Sequence, residues 1–285
     1  MAKPAIAVEE VGGRAAMRRF VELAHLQLHD EPRWVPPLAA WDKARLDPAR
    51  NPFFDAGDAA YFLLRRMGKP AGRITAHIAD DGDEQGWFGF FDVVDDEACT
   101  AALVEAAAGW LRERGCTSMV GPVSFTEAEE RGVLVAGFDV PGATGRPWHP
   151  EWYGESLRAA GLVEVAGSRR ATWRCGAGGT VTLRPAPEAT APALVGPYAD
   201  RRVLLPGIHA VPDLGGESPW QLAKRAKRGD WDTCTVVRCD GRASDLVPPL
   251  LAAAGEAGYA SVIAPWSPDA GAEPETEHAL FELDL

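Results

Sequence analysis

The sequence predicts an α/β (α+β) protein: a mixed, mostly antiparallel sheet flanked by helices, followed by a second, shortened copy of the same unit. Three observations carry this expectation. Apolar residues along the first 175 positions switch between a period of two and a helical period, so strands and helices interleave. At 285 residues the chain exceeds one ordinary domain and is short for two. Finally, AALVEAAAGWLRERGCTSMVGP (101–122) resembles LVPPLLAAAGEAGYASVIAP (246–265): with Gly115 placed on Gly258, Ser118 falls on Ser261 and Pro122 on Pro265.

Residues 5–10 (AIAVEE) read as a strand. After Gly12 and Gly13, Met17, Phe20, Val21, Ala24 and Leu28 recur at helical spacing, with Arg18, Glu22, His25 and His29 on the opposite line facing water. His25 and His29 lie four apart, but their line is polar and no third ligand accompanies them, so no metal site is expected. The proline-rich DEPRWVPPL admits only a short helix after it, from Leu38 to Leu46. Two β-rich runs flank Met67-Gly68-Lys69-Pro70 as a hairpin, and GWFGFFDVVDD supplies a third strand. Residues 97–114 are helical, with Gly115 as the stop, and TSMVGPV is a short buried strand. The segment Ser124 to Pro150 reads as one long functional loop. EWYGESLRAAG is a helix, and LVEVAGSRRATWRC one or two strands.

Gly176-Ala177-Gly178-Gly179 reads as a linker, which divides the chain into units 1–175 and 176–285. The second unit is expected to contain strands at TVTLRP, TCTVVRCDG and ASVIAP, with RRVLLPGIHAVPDL following the first of them. Helices are expected around SPWQLAKRAKR and from Asp245, and one last strand at HALFELDL. The acids from Asp269 onward, without a base among them, read as a solvated edge.

Composition narrows the function. With 46% hydrophobic and 25% charged residues a packed core is expected, which argues against a disordered or coiled-coil chain. The 41 acidic residues against 29 basic ones give a net charge of −12, which disfavours DNA and anionic membranes and weighs against tRNA, so a small-molecule partner comes first. Five cysteines without a CxxC pair read as reduced cytoplasmic thiols. Glu9 and Glu10 break the apolar run that a signal-peptide core needs, and Pro248, Pro249, Glu256 and Pro265 break the stretch 246–266 as a membrane span. A monomer or homodimer is expected.

The order of elements in the first unit, together with DEPRWVPPL, NPFFDAG, GWFGFFDVVDD, WLRERG followed by VGPV, and GVLVAGFD, resembles a bacterial family of tandem GNAT-like proteins. The resemblance implies an acyl-CoA N-acyltransferase fold, with acyl-CoA or acetyl-CoA as co-substrate. That fold binds the CoA pyrophosphate on a loop reading [Q/R]-x-x-G-x-[G/A] before a helix, where free N–H groups and the helix N-terminus attract an anion. In the first unit this position reads Asp95-Asp96-Glu97-Ala98-Cys99-Thr100, acids that would repel a pyrophosphate and that suit helix capping or a cationic substrate group near Asp95. In the second it reads Arg238-Cys239-Asp240-Gly241-Arg242-Ala243, with Ser244 next, which fits the pattern. Arg238, Gly241, Arg242, Ala243 and Ser244 are therefore the expected cofactor loop.

The family's proton-donating tyrosine is missing from Leu157-Arg158-Ala159-Ala160-Gly161-Leu162, and Tyr153 lies one turn earlier on the same face. Trp148, His149, Trp152 and Tyr153 form an aromatic group that suits a substrate pocket or a packed corner. Acylating an amine needs a base, for which Glu127, Glu129 and Glu130 after VGPVSF, or His149, are the candidates. Lys224, Arg225, Lys227 and Arg228 lie at helical spacing as a phosphate-binding or solvated face. The expectation is an acyltransferase acting on a small amine or amino-acid-like substrate in specialised metabolism. The alternatives are a CoA-independent enzyme on the same scaffold, such as an aminoacyl-tRNA-dependent transferase, or a non-catalytic binding module.

Overall fold

The structure is a computed structural model that describes residues 5–37, 39–79, 83–125, 130–142, 146–176, 203–205, 208–212, 233–239, 250–252, 254–256, 260–264 and 272–285. Strand β1 (Ile6–Glu10) leads into helix α1 (Gly13–Leu28) and the short α2 (Ala39–Arg45). Strands β2 (Gly57–Arg66) and β3 (Lys69–Ala79) follow as a hairpin whose two turn residues, Met67 and Gly68, both take left-handed backbone (φ 51° and 78°). That turn matches the twist of the strands it joins. β4 (Gln85–Val93) pairs antiparallel with β3, and β1 covers the outer edge of β2.

Helix α3 (Glu97–Arg112) starts where the Asp96 side chain accepts from the N–H groups of Ala98 and Cys99, as an N-cap should. Its buried face, Cys99, Leu103, Val104, Ala107, Ala108 and Leu111, packs in one core with Ile74, Phe88 and Phe91 from the sheet. The crossover returns the chain as β5 (Ser118–Gly121), parallel to β4. Beyond it come β6 (Val133–Ala136), α4 (Trp152–Ala159), β7 (Val163–Glu164) and β8 (Arg170–Gly176). The later strands are β9 (Val203–Leu205), β10 (Ile208–Pro212), β11 (Thr233–Cys239), β12 (Ser261–Ala264), β13 (Thr276–Ala279) and β14 (Phe281–Asp284).

These strands form two sheets, ordered β1-β2-β3-β4-β5-β14-β7 and β6-β13-β8-β12-β11-β10-β9. The repeat appears in their registers. β5 and β12 begin at the aligned Ser118 and Ser261 and run parallel to β4 and β11. The antiparallel neighbour on the far side of β5 is β14, from the end of the chain, whereas that of β12 is β8, from before residue 177. Each half therefore places its last strand in the other half's sheet, and each sheet draws strands from both sides of residue 176.

Several expectations change accordingly. The presumed loop Ser124 to Pro150 contains β6, an edge strand of the second sheet. HALFELDL is two strands rather than one: β13 ends at Ala279 and β14 starts at Phe281, in different sheets. The acidic end is not a solvated edge, because His278 and Phe281 are buried and Glu275 and Glu277 pair with Arg174 and Arg169. His25 does not face water; its ring packs edge-on against Trp34, 5.2 Å away, where the proline-rich segment folds back over α1. TVTLRP, SPWQLAKRAKR and residues 245–249 lie outside the described residues, and the chain is helical at 250–252 and 254–256.

Phe281 is fully buried in the main core although it stands four residues from the chain's last. Phe281→Ala is expected to cost about 3–5 kcal/mol in urea denaturation, while Glu282→Ala stays within about 0.5 kcal/mol.

Candidate active site

β4 carries an extra residue relative to β3. Arg73 faces Asp92 and Thr75 faces Gly89, so three steps on β4 match two on β3, and Phe90 takes φ 44° at the resulting bulge. Positive φ is costly for an aromatic residue, and such bulges re-aim side chains and end pairing. The parallel ladder to β5 ends at Trp87 and Val120, after which Val123 N–H donates to Phe88 O at 2.7 Å. Gly89 and Gly121 permit this approach: a Cβ on Gly89 would meet Val123 O and one on Gly121 would meet Phe88 O. Past this point β4 continues to Val93 beside β3 while the other strand turns away through Ser124 and Phe125.

Charged side chains gather where the strands part. Arg73 and Asp92 are buried and joined at 2.6 Å, and Arg73 also donates to Phe20 O at 2.9 Å. Arg45 and Asp42, each 1% exposed, are joined at 2.5 Å. Arg45 also lies 3.6 Å from Glu130, whose other carboxylate oxygen accepts from the Ser124 hydroxyl at 3.4 Å. The Phe90 ring sits between the guanidiniums, 4.7 Å from Arg45 and 5.8 Å from Arg73. Burial raises the pKa of Glu130 and Asp42 adds to the rise, against the pull of Arg45. A carboxylate whose pKa burial raises, beside a hydroxyl, is a candidate proton acceptor. Phe53, Phe125 and His77 form an aromatic wall beside it, with His77 5.1 Å from Phe125 and Phe125 5.6 Å from Phe90.

The expected site residues are dispersed around this cluster. Glu130 is in it, whereas Glu127 and Glu129 lie outside the described residues. Tyr153 is fully buried, its hydroxyl accepting from Val93 N–H at 3.2 Å, and burial raises its pKa. His149 is buried 5.2 Å from Tyr153, and its Nδ1 accepts from Leu134 N–H; burial lowers its pKa to about 4, so it is neutral at pH 7. Trp152 packs on Tyr153, and Trp148 donates from its indole N–H to Phe138 O beneath the Arg33 guanidinium. Asp95 is exposed on the α3 approach. Arg238 lies on β11 opposite His209; Gly241, Arg242, Ala243 and Ser244 lie outside the described residues.

Asp42, Arg45, Arg73 and Asp92 were not among the expected site residues. For Arg73 and Asp92 a signal was present as charges inside the apolar runs AGRITAHIA and FGFFDVV, since charges are rarely buried unless paired. Among the described residues no group of three or more His, Cys, Asp or Glu side chains is arranged for a metal, and no helix is long and apolar enough to cross a membrane.

Over the whole chain the structure superposes on a tandem GNAT protein from the clavulanic acid biosynthesis pathway, with a TM-score of 0.54 at 13% identity, covering 99% of this chain and 98% of that one. The chain has a tandem GNAT-like fold. No family model matches it. In sequence it is 35% identical over 157 residues to a bacterial ceramide synthase of Caulobacter vibrioides, covering 53% of this chain and 41% of that protein. It is also 32% identical over 150 residues to Protein YghO of Escherichia coli, covering 51% and 38%. The chain thus spans about two fifths of the length of these curated relatives. In this GNAT-like fold the Asp96 cap occupies the N-terminus of α3, and Arg66 pairs with Asp96 at 2.9 Å, so that position does not fit a pyrophosphate.

Two stability predictions follow from these buried groups. Arg73→Met is expected to cost about 3–5 kcal/mol by stranding Asp92, and Asp92→Leu in the same chain to recover much of it, as read by urea denaturation. His77, His149 and His278 are held by burial at about 3, 4 and 3. The unfolded chain therefore takes up protons that the folded chain refuses as pH falls below roughly 6.5, and stability declines towards these folded values. Urea midpoints measured from pH 7 to pH 4 should fall, with a shallower slope in His77→Phe.

Proposed function

We propose that the protein is an N-acyltransferase that moves an acyl group from an acyl-CoA thioester to the amine of a small or amino-acid-like substrate. The observation that carries this reading is the cluster at the parting of β4 and β5, where Glu130, raised by burial, stands beside Ser124 and Arg45. Thioesters acylate amines only when the nitrogen is unprotonated, and Glu130 is assigned to remove its proton while the thiolate leaves. Asp42 and Arg45 position Glu130, and Arg73 and Asp92 hold the bulge of β4 beneath it. Tyr153 and His149 shape the wall behind, the first through Val93 and the second through Leu134.

With the N-terminus of α3 capped, the donor's phosphates are assigned to Arg238 on β11 and to Gly241, Arg242, Ala243 and Ser244, which follow it in the sequence. β11 supports this because it holds the place in the second sheet that β4 holds in the first. The relative named for ceramide synthesis supports amide formation, since a ceramide is an N-acyl amine.

Thiol release from an acyl-CoA, followed with a panel of amines against pH, tests the assignment of the base. Wild type should show an acid limb above the ordinary carboxylate range, and Glu130→Gln should lower kcat/KM by about 10²–10⁴ and abolish that limb. An unchanged profile in Glu130→Gln would remove Glu130 from the role.

A further inference from the structure

One side of β3 is polar although it is buried. Arg73, Thr75 and His77 stand two residues apart and so project to the same face of the first sheet. On the opposite side Ile74 and Ala76 join the apolar core with α3. Arg73 is engaged by Asp92 and by Phe20 O. The Thr75 hydroxyl and both ring nitrogens of His77, by contrast, have no hydrogen-bond partner among the described residues, and the same holds for Oδ2 of the buried Asp42. Most buried polar side chains in folded proteins are paired, because an unpaired one forfeits the bonds it made to water.

The strand registers place these groups beside the Glu130 cluster. Thr75 stands opposite Gly89 on β4 and opposite Tyr61 on β2. Residues directly opposed in an antiparallel pair share a face, with Cβ atoms about 5 Å apart. On that face a Cβ on Gly89 would lie 3.3 Å from Ser124 Cα, and Ser124 carries the bond to Glu130. On the other flank the Tyr61 hydroxyl donates to Leu46 O at 3.2 Å, and Leu46 N–H donates to Asp42 O at 3.0 Å. Thr75 is thus flanked by the strand end bearing Ser124 and by the turn of chain bearing Asp42 and Arg45. His77 follows, its ring 5.6 Å from Phe53 and 5.1 Å from Phe125. Phe53 belongs to a single 3₁₀ turn (Pro52–Asp55) without a buried residue, so one turn at the surface covers His77 from that side.

The chemistry of the unpaired groups selects what could satisfy them. Burial holds the His77 pKa at about 3, so at pH 7 the ring is neutral, with one N–H and one lone pair. A threonine hydroxyl also gives and takes. Their common partner is a group that does both, as a hydroxyl does and a carboxylate does not. A carboxylate would also meet Asp42, Asp92 and Glu130, while Arg45 and Arg73 are already engaged with Asp42 and Asp92. Asp42 Oδ2 calls for a donor, which an incoming ammonium group supplies.

We propose that the acyl acceptor is an amino alcohol, its hydroxyl received by Thr75 and His77 and its amino group directed to Asp42 and Glu130. The inference rests on the Glu130 cluster being the site of acyl transfer and adds what recognises the acceptor there. A site built to bond a hydroxyl rejects the analogue that lacks it, because its own polar groups then stay unpaired.

Thiol release from an acyl-CoA by the full chain, with 2-aminoethanol, 3-aminopropan-1-ol, their O-methyl ethers and glycine as acceptors, tests the proposal. The ethers keep the amine and lose only the O–H. At least one amino alcohol should exceed both its ether and glycine in kcat/KM by about tenfold or more. Thr75→Val and His77→Phe, each close in shape to the residue replaced, should lower the ratio of alcohol to ether by about fivefold or more. Should one variant fail to fold, the other and the wild-type ratio decide. Ethers as good as both alcohols, glycine as good as both alcohols, or an unchanged ratio in the folded variants would overturn the proposal and leave the acyltransferase reading standing. No turnover with any amine would overturn that reading and this proposal with it.

Discussion

The insertion of β14 between β5 and β7 is the contact on which the rest of the structure depends. Without it β5 would be a bare edge, and the two-residue β7 would lose its partner in the first sheet. The reciprocal placement of β8 between β12 and β13 does the same for the second sheet. Because β13 and β14 are separated by Leu280 alone, the two sheets are tied within one residue of each other. Ser168 secures that crossing: its hydroxyl accepts from Leu280 N–H at 3.0 Å, and its carbonyl accepts from Arg131 at 3.2 Å. A unit that exchanges its last strands in this way depends on pairing between residues far apart in sequence, which slows folding.

This exchange also accounts for the position of the charged cluster. The chain leaves β5 at the point where the parallel ladder ends and must cross to the second sheet to form β6, and Ser124 and Glu130 lie on that crossing. The bulge at Phe90 turns β4 away on the other side, and the gap between them is filled by ion pairs rather than by aliphatic side chains. Buried pairs of this kind contribute little net stability beside an apolar filling, so their presence where β4 and β5 part is better explained by the charges themselves.

Local elements were legible in the sequence because their signals are local. Met67-Gly68 marked the hairpin, the apolar spacing of Phe20, Val21 and Ala24 marked α1, and Asp96 before a run of alanines marked the start of α3. The matched Ser118 and Ser261 marked the repeat, and both begin equivalent strands. The exchange was not legible, since nothing in HALFELDL says that its two halves pair with strands more than one hundred residues apart in different sheets. Of the candidate site only Glu130 was read directly. Arg73 and Asp92 are 19 positions apart and meet through the irregular β3–β4 register, which no periodicity predicts. His25 was misread because Trp34, which covers it, comes from a proline-rich segment without a period of its own.

The central claim is that the protein forms an amide from a thioester and an amine. Mass spectrometry of the products formed by the purified chain from an acyl-CoA and a panel of amines, compared with a protein-free control, addresses it most directly. The account predicts an N-acylated amine and free CoA in equal amounts, dependent on the protein. Free CoA without amide, or no turnover with any amine in the panel, would contradict it.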